Sequence, residues 1–163
     1  MRMFAGLSFV LAGVPRCHSP RDVPPCKGPT LRMVRKQQDD ILRVRDGDRL
    51  DHGDLIQVGY LGVTEGSYGA ILSQDGRGFI TVHLPSDSES QSAPLESADW
   101  LDYSFKLDDA PDFEHFFFVV HERPFLVDPV INTLQSGSLD DDVRFVAEFH
   151  LRKPRRPPTD FLR

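Results

Sequence analysis

Four carboxylate side chains crowd into the segment LDDAPDFE and are the first candidates for chemistry: Asp108, Asp109, Asp112 and Glu114. Dense carboxylates suit a hard cation such as Ca²⁺, which takes many oxygen ligands. The segment lacks the ligand spacing and the central glycine of an EF-hand loop, and its proline favours a bend. We therefore predict a solvated acidic turn that holds no metal or cofactor and faces a protein partner. A calcium-stabilised structural domain is the alternative.

Histidines on strand-like segments are the second candidates. His115 and His121 bracket the apolar run FFFVV and would lie on one face of a strand, with His83 and His150 near them in a sheet. A histidine beside an Asp and a Ser can form a hydrolase site. No G-x-S-x-G or HExxH motif is present, and Ser73 lies inside a predicted strand. We therefore predict no catalytic residue and keep a hydrolase as an alternative function.

The segment QDGRG contains glycines that are typical both of phosphate-binding loops and of tight turns. A phosphate-binding loop leads into a helix N-terminus, whose free N–H groups hold the anion. The residues that follow, FITVHLP, instead alternate, include β-branched side chains and end at a proline. We interpret Gly76 and Gly78 as positions of positive φ in a hairpin turn, with Asp75 bonded to its own turn.

The elements that must position these residues are strands, because apolar side chains recur with a period of two. TLRMVR and ILRVR flank KQQDD, which predicts a hairpin with a loop longer than the tightest turns. Ile56, Val58 and Tyr60 should share one face. The consecutive residues Phe116–Phe118 must point to both faces of a strand that is central or covered by a helix.

Two further segments carry clear patterns near the end of the chain. VRFVAEFHLR alternates apolar side chains at Val143, Phe145, Ala147, Phe149 and Leu151, which we expect on one face of a strand. LVDPVINTLQSG predicts one short helix, capped by Asp128, with Pro129 at its first position and its end at Gly137.

The charges are segregated along the 163-residue chain, whose net charge is -6. Residues 1–36 carry 7 Lys and Arg against 1 Asp, residues 37–142 carry 6 against 22 Asp and Glu, and residues 143–163 carry 6 against 2. An acidic body repels phosphate backbones, so we do not expect nucleic acid as a partner. Membrane contact is expected only through the N-terminal signal or the basic ends.

The N-terminal residues favour export. Arg2 precedes the run MFAGLSFVLAGV, which is too short to span a bilayer and has the length of a secretory signal. An exported, periplasmic or envelope-associated protein is expected, and a cytoplasmic protein is the alternative. The predicted organisation is a signal peptide at 1–14, a Pro-rich linker at 15–29, a β-sandwich-like domain at 30–153 and a basic Pro-rich tail at 154–163.

The chain has two cysteines, Cys17 and Cys26, and both lie in the predicted linker. In an oxidising compartment they could pair as a disulfide that closes a small loop. Two unpaired thiols are the alternative. No histidine stands at metal-ligand spacing from them, so a zinc site is not predicted.

Several phrases together resemble a known family: KGPTLRMVRK, DGDRLDHGDLIQVGYLG, YGAILSQDGRGFITVHLP, APLESADWLDYSFKLDDAPDFEHFFFVV, RPFLVDPVI and FVAEFHLRK. This bacterial β-rich domain of unknown function often follows an anti-sigma-factor-like zinc-binding segment and a transmembrane helix, and it also occurs in exported or lipoprotein-like forms. The resemblance covers about Cys26 to Lys153 and implies a non-enzymatic envelope module without established site residues. The zinc-binding segment is not among these residues, and the run MFAGLSFVLAGV is shorter than the family's membrane helix, so the resemblance does not imply sigma-factor binding.

The chain is therefore expected to be mainly β, an antiparallel β-sandwich-like domain of seven or eight strands with one short helix. The expected function is a non-catalytic interaction module, regulatory or accessory, in a bacterial envelope. A protein partner would bind along an exposed strand edge or at the acidic loop. The patterns do not indicate an oligomeric state.

Overall fold

The structure is a computed structural model that describes residues 28–38, 40–86, 90–137 and 145–154. Most of its elements are strands, as the apolar period of two predicts. The predicted signal peptide, Cys17, Cys26, Val143 and nearly all of the basic tail lie outside the described residues. The elements are β1 (Thr30–Gln37), β2 (Asp40–Val44), β3 (Leu55–Leu61), β4 (Tyr68–Asp75), β5 (Ile80–Leu84), β6 (Ala93–Pro94), β7 (Ala98–Trp100), β8 (Phe105–Lys106), β9 (Phe113–His121), α1 (Asp128–Ser136) and β10 (Phe145–Arg152).

The strands form two antiparallel sheets, which confirms the predicted mainly β class with a single helix. One sheet has the order β2-β1-β3-β7, with β8 also paired to β3. The other has the order β10-β9-β4-β5, with β6 also paired to β4. Ten strands are described instead of seven or eight, because β6, β7 and β8 are pairings of two or three residues that leave no periodic pattern in the sequence.

The main core lies between the sheets and is built from alternate side chains of β1, β3, β4, β9 and β10. Ile56, Val58 and Tyr60 all point into it, as their spacing predicts. Phe116 and Phe118 are fully buried there, whereas Phe117 lies on the opposite face of β9. The strand is central, between β10 and β4, which explains why both of its faces are apolar.

A second, smaller core lies under α1 on the outer face of the β4–β9 sheet, where Val127 and Val130 pack on Ala70, Leu72 and Val119. The helix ends at Gly137, whose φ of 65° is left-handed, as predicted. The predicted cap was wrong, because the helix begins one residue earlier. Val127 is the N-cap residue, no side chain caps the helix, and the predicted cap residue lies within the first turn.

Two local predictions about the strands were also wrong. Gln37 pairs with Asp40, so the β1–β2 loop has two residues, and Gln38 adopts the positive φ of 53° that such a tight turn requires. In β10 the register shifts between Phe145 and Ala147. This bulge turns Phe145 to the core under the helix, while Phe149 points into the main core.

Among the described residues, no helix is long and apolar enough to cross a membrane.

Candidate functional site

The acidic segment lies at one end of the sandwich, where three parts of the chain meet. These are the β4–β5 turn, the loop between β8 and β9, and the end of β10. The turn and the loop contain the two motifs singled out in the sequence, QDGRG and LDDAPDFE. The structure therefore brings together segments that are about thirty residues apart in the chain.

The β4–β5 turn is a hairpin, as predicted, and hydrogen bonds between the Asp75 side chain and the backbone fix its shape. The Asp75 carboxylate accepts hydrogen bonds from the N–H groups of Arg77 (2.8 Å) and Phe79 (2.9 Å), so it is bonded to its own turn. Gly78 has the expected positive φ, at 86°. Gly76 is required for a different reason than predicted: a Cβ built there would lie 1.8 Å from the carbonyl oxygen of Pro111.

The loop is bound to this turn by charge as well as by close packing. The Arg77 guanidinium donates to the Asp109 carboxylate at 2.7 Å. Asp112 adopts a positive φ of 70°, and its carbonyl oxygen accepts a hydrogen bond from the Lys153 N–H at 2.8 Å. The loop therefore rests against both the hairpin and the end of β10.

A buried lysine lies at the centre of this junction. The side chain of Lys153 is 1% exposed, and its Nζ donates to Glu114 Oε2 at 2.6 Å and to Asp108 Oδ1 at 2.7 Å. Burial acts to raise the pKa of Asp108, but the hydrogen bonds from Lys153 and from the Ala110 N–H outweigh it and lower that pKa. The sequence does not indicate a role for this lysine, because a single Lys after an alternating strand does not show which carboxylate it will contact.

The four predicted partner-facing carboxylates are thus in different environments. Glu114 is buried at 8% exposure, Asp109 is half-buried, and Asp108 and Asp112 are exposed. Two of them are bound to Lys153 and one to Arg77. These three carboxylates bind cations of the same chain. The role of the acidic loop as a docking site for a partner therefore stays a prediction.

An open cavity of about 450 Å³ lies beside the junction and is lined by Arg49, Arg152, Lys153 and Pro154. Arg49 and Arg152 are partners in an isolated parallel bridge, so the two residues stand side by side. Both are exposed. The cavity is basic in a domain whose body is acidic.

The loop that carries Arg49 covers the outer edge of β10. The Gly47 N–H donates to the His150 carbonyl at 2.7 Å, the Leu50 N–H to the Arg152 carbonyl at 2.9 Å, and the Arg152 N–H to the Asp48 carbonyl at 2.9 Å. The side chain of Asp46 accepts from the His150 N–H at 2.6 Å. The loop therefore satisfies the outward hydrogen-bonding groups of His150 and Arg152, at the end of this edge strand.

The histidines do not assemble into one site. His83 lies in the main core, with its Nε2 2.9 Å from Ser73 Oγ and its ring stacked on Phe105. Burial lowers the pKa of His83 to about 4. Among the described residues no carboxylate is hydrogen-bonded to this pair, and Ser73 is 1% exposed. A Ser–His pair without an orienting acid or an approach for substrate lacks the geometry of a hydrolase.

The other three histidines singled out in the sequence, His115, His121 and His150, lie on the outer face of the same sheet. His115 and His150 are cross-strand partners with ring centroids 3.7 Å apart, and Glu148 accepts from His115 Nε2 at 3.1 Å. Burial and the neighbouring His150 lower the pKa of His115, against the opposing effect of Glu148. His121 is exposed at the far end of β9. None of these side chains contacts both a carboxylate and a serine in the described structure.

No three His, Cys, Asp or Glu side chains come together in the described ranges in a way that could hold a metal ion. The acidic loop does not supply such a group there, because its carboxylates bind lysine and arginine.

The edge strand of the other sheet, β2, differs from β10. β2 is the last strand of its sheet, and in the described part of the chain no other segment pairs with its outer side. Ile41 is 68% exposed and Leu42 is 44% exposed. Successive residues of a strand point to opposite faces, so each face of this edge presents one exposed apolar side chain, beside Arg43 on one face and Asp40 on the other.

Comparison of the chain with models of protein families found no match, and neither the curated proteins nor the solved structures contain a match. The resemblance to the bacterial envelope domain therefore remains a prediction.

Proposed function

We propose that this protein is a non-catalytic interaction module of a bacterial envelope, and that an extended segment of a partner protein binds by adding a strand to β2. The exposed apolar edge of β2 is the observation that carries the proposal. A strand edge offers unpaired N–H and C=O groups, which supply affinity, while side chains on alternate faces supply specificity.

The residues of β2 favour pairing over protection. Natural edge strands are commonly protected by charged side chains, especially Lys, by Pro, by a bulge or by a covering loop. β2 reads DILRV and carries Asp40 and Arg43, but it contains neither Lys nor Pro and pairs with β1 without a register shift. The end of β10, by contrast, is covered by a loop of the same chain.

The chemistry of the edge also indicates what it binds. Ile41 and Leu42 would contact apolar side chains on the two faces of an added strand. Arg43 is exposed between them and the end of β2. A partner strand with an acidic residue beside aliphatic ones would match this order, because opposite charges across a strand pair are stabilising.

The envelope location rests on the predicted signal peptide at 1–14 and on the family resemblance. Fractionation of the tagged native protein, followed by intact-mass analysis, tests this part. A periplasmic form that lacks the signal peptide is expected. A full-length form in the cytoplasm would contradict export and place the partner inside the cell.

The binding edge is tested by placing a photo-crosslinking residue at Leu42 in the full chain, expressed in its host. The matched control carries the same residue at Leu126, which is also apolar and 57% exposed but lies next to the helix. A defined protein should be crosslinked from position 42 and not from position 126. The substitution Ile41→Lys should abolish that crosslink, because a charged side chain at a strand edge opposes strand addition.

Two outcomes would contradict the proposal. Equal crosslinking from both positions, unaffected by Ile41→Lys, would show that β2 has no particular role. A dimer of the purified protein that Ile41→Lys dissociates would assign the edge to a second copy of the chain instead of a different protein.

A further inference from the structure

Two arginines beside the basic cavity are held close together, and no described residue forms an ion pair with either of them. Arg49 and Arg152 pair directly across a parallel bridge, and both side chains line the cavity. Like charges directly opposite one another in paired strands are destabilising. Within the described residues, neither guanidinium forms an ion pair that would offset this repulsion.

The nearby carboxylates are held by other donors. Asp46 accepts from the His150 N–H and Asp48 from the Arg45 N–H. Asp108 and Glu114 bind the buried Nζ of Lys153, the third charged residue of the cavity lining. These carboxylates lie close to the cavity, but in the described structure each is bound to another donor. Both arginines are exposed to solvent.

One arginine is already oriented for a ligand. Arg152 Nε donates to the Gly47 carbonyl at 2.6 Å, which fixes the guanidinium against the covering loop. Its terminal nitrogens still carry N–H groups that can donate hydrogen bonds. A planar guanidinium binds two oxygens of one group with parallel hydrogen bonds. An immobilised donor also loses less side-chain entropy when it binds.

We propose that Arg49 and Arg152 form a binding site for a single phosphate group, supplied either by free phosphate or by the headgroup of an anionic phospholipid. Phosphate offers the several oxygens and the negative charge that two neighbouring guanidinium groups require. A long phosphate backbone would also meet the acidic body of the domain, whereas a single group meets only the local field of the arginines. The site lies on β10 and its covering loop, so it does not depend on the proposed role of β2.

The first test is titration of the full chain with inorganic phosphate, followed by NMR of the arginine side-chain N–H groups. Saturable shifts of Arg49 and Arg152 are expected. Arg49→Gln and Arg152→Gln should each weaken the apparent affinity by about tenfold, since each removes charge-assisted hydrogen bonds. Arg123→Gln is the matched control, because it removes an exposed arginine elsewhere and should leave the affinity unchanged.

The second test distinguishes the two sources of phosphate. The protein is floated with vesicles of phosphatidylglycerol and phosphatidylcholine and with vesicles of phosphatidylcholine alone. Flotation that needs the anionic lipid and both arginines would assign the site to a headgroup, and saturable phosphate binding without flotation would assign it to free phosphate.

Non-saturable shifts, or equal effects of Arg123→Gln and the two site variants, would overturn the proposal if flotation also failed to depend on Arg49 and Arg152. Using two single variants keeps the test valid even if loss of the Arg152 bond to Gly47 disturbs the loop, because Arg49 makes no such bond in the described structure.

Discussion

The buried Ser73–His83 pair predicts that the domain loses stability in mild acid. His83 is 4% exposed, its ring contacts those of Phe105 and Phe116, and its hydrogen-bond partner is a neutral hydroxyl. Protonation would place a positive charge in the core with no carboxylate bonded to it in the described residues. Burial accordingly lowers the pKa of His83 to about 4.

The sign and size of the effect follow from this pKa. In the unfolded chain the group binds a proton near its ordinary value of 6.5, whereas in the folded chain it does so only near about 4. Between these values the unfolded state holds more protons, so the free energy of unfolding falls as the pH is lowered. The difference between the two pKa values, at about 1.4 kcal/mol per pH unit, corresponds to a loss of about 3 kcal/mol in the free energy of unfolding. This loss is complete below the folded-state pKa.

The assay is urea unfolding of the native sequence, His83→Gln and His52→Gln at neutral pH and at several points down to about pH 4. His52 is an exposed loop residue and serves as the matched control. The native sequence and His52→Gln should lose the same stability, and His83→Gln should lose about 3 kcal/mol less over the interval. The difference in pH dependence is the readout, so a lower stability of His83→Gln at neutral pH does not affect it.

NMR titration of the His83 ring in the folded native protein provides a second measurement that needs no variant. A midpoint near about 4 is expected. An ordinary midpoint, or an unchanged acid sensitivity in His83→Gln, would refute the reasoning. His115, whose pKa burial also lowers, and Asp108, whose pKa is lowered as well, contribute in the same direction to the remaining pH dependence of His83→Gln.

Two predictions concern the junction at the acidic loop, and both are measured by denaturant unfolding. Lys153→Ala leaves the buried carboxylate of Glu114 without its cation and should cost about 3 kcal/mol or more. Asp109→Asn weakens a partly exposed ion pair and should cost about 1 kcal/mol or less. Equal losses would contradict the assigned role of Lys153. Gly76→Ala places a methyl group against the Pro111 carbonyl and should cost more than about 1 kcal/mol, whereas Gly28→Ala meets no atom within 4 Å and should be close to neutral. A neutral Gly76→Ala would show that the hairpin and the loop can move apart without loss.

The sequence predicted the parts of this fold that depend on local periodicity, and it failed where a distant contact or a single residue decides the outcome. Alternation identified β1, β3 and β5, since a strand buried on one face must repeat every two residues, and the run of three Phe identified β9 as a strand with two apolar faces. The same alternation placed Phe145 on the wrong face, because one bulge residue reverses every side chain beyond it. Likewise, the alternation in β5 does not show that its histidine meets Ser73, because this contact depends on the pairing of β4 with β5.

The candidate site shows the same division between local and distant information. Three of the four acidic residues lie in the β8–β9 loop that the sequence indicated and Glu114 lies on β9, whereas the glycines and Asp75 correctly indicated a turn. Which charges the molecule presents outward depends on contacts between segments far apart in the chain. Lys153 reaches Glu114 across 39 positions, and Arg152 is brought beside Arg49 by a loop that binds the edge of β10.

These contacts change which charges are available to a partner. An acidic body suggests a surface that binds cations or basic proteins, but at this end of the sandwich Lys153 and Arg77 bind three of the four carboxylates of the acidic segment from within. No described residue forms an ion pair with either arginine of the cavity. The two guanidinium groups beside β10 are therefore a basic exception in an acidic domain, and a ligand that binds both of them is an anion.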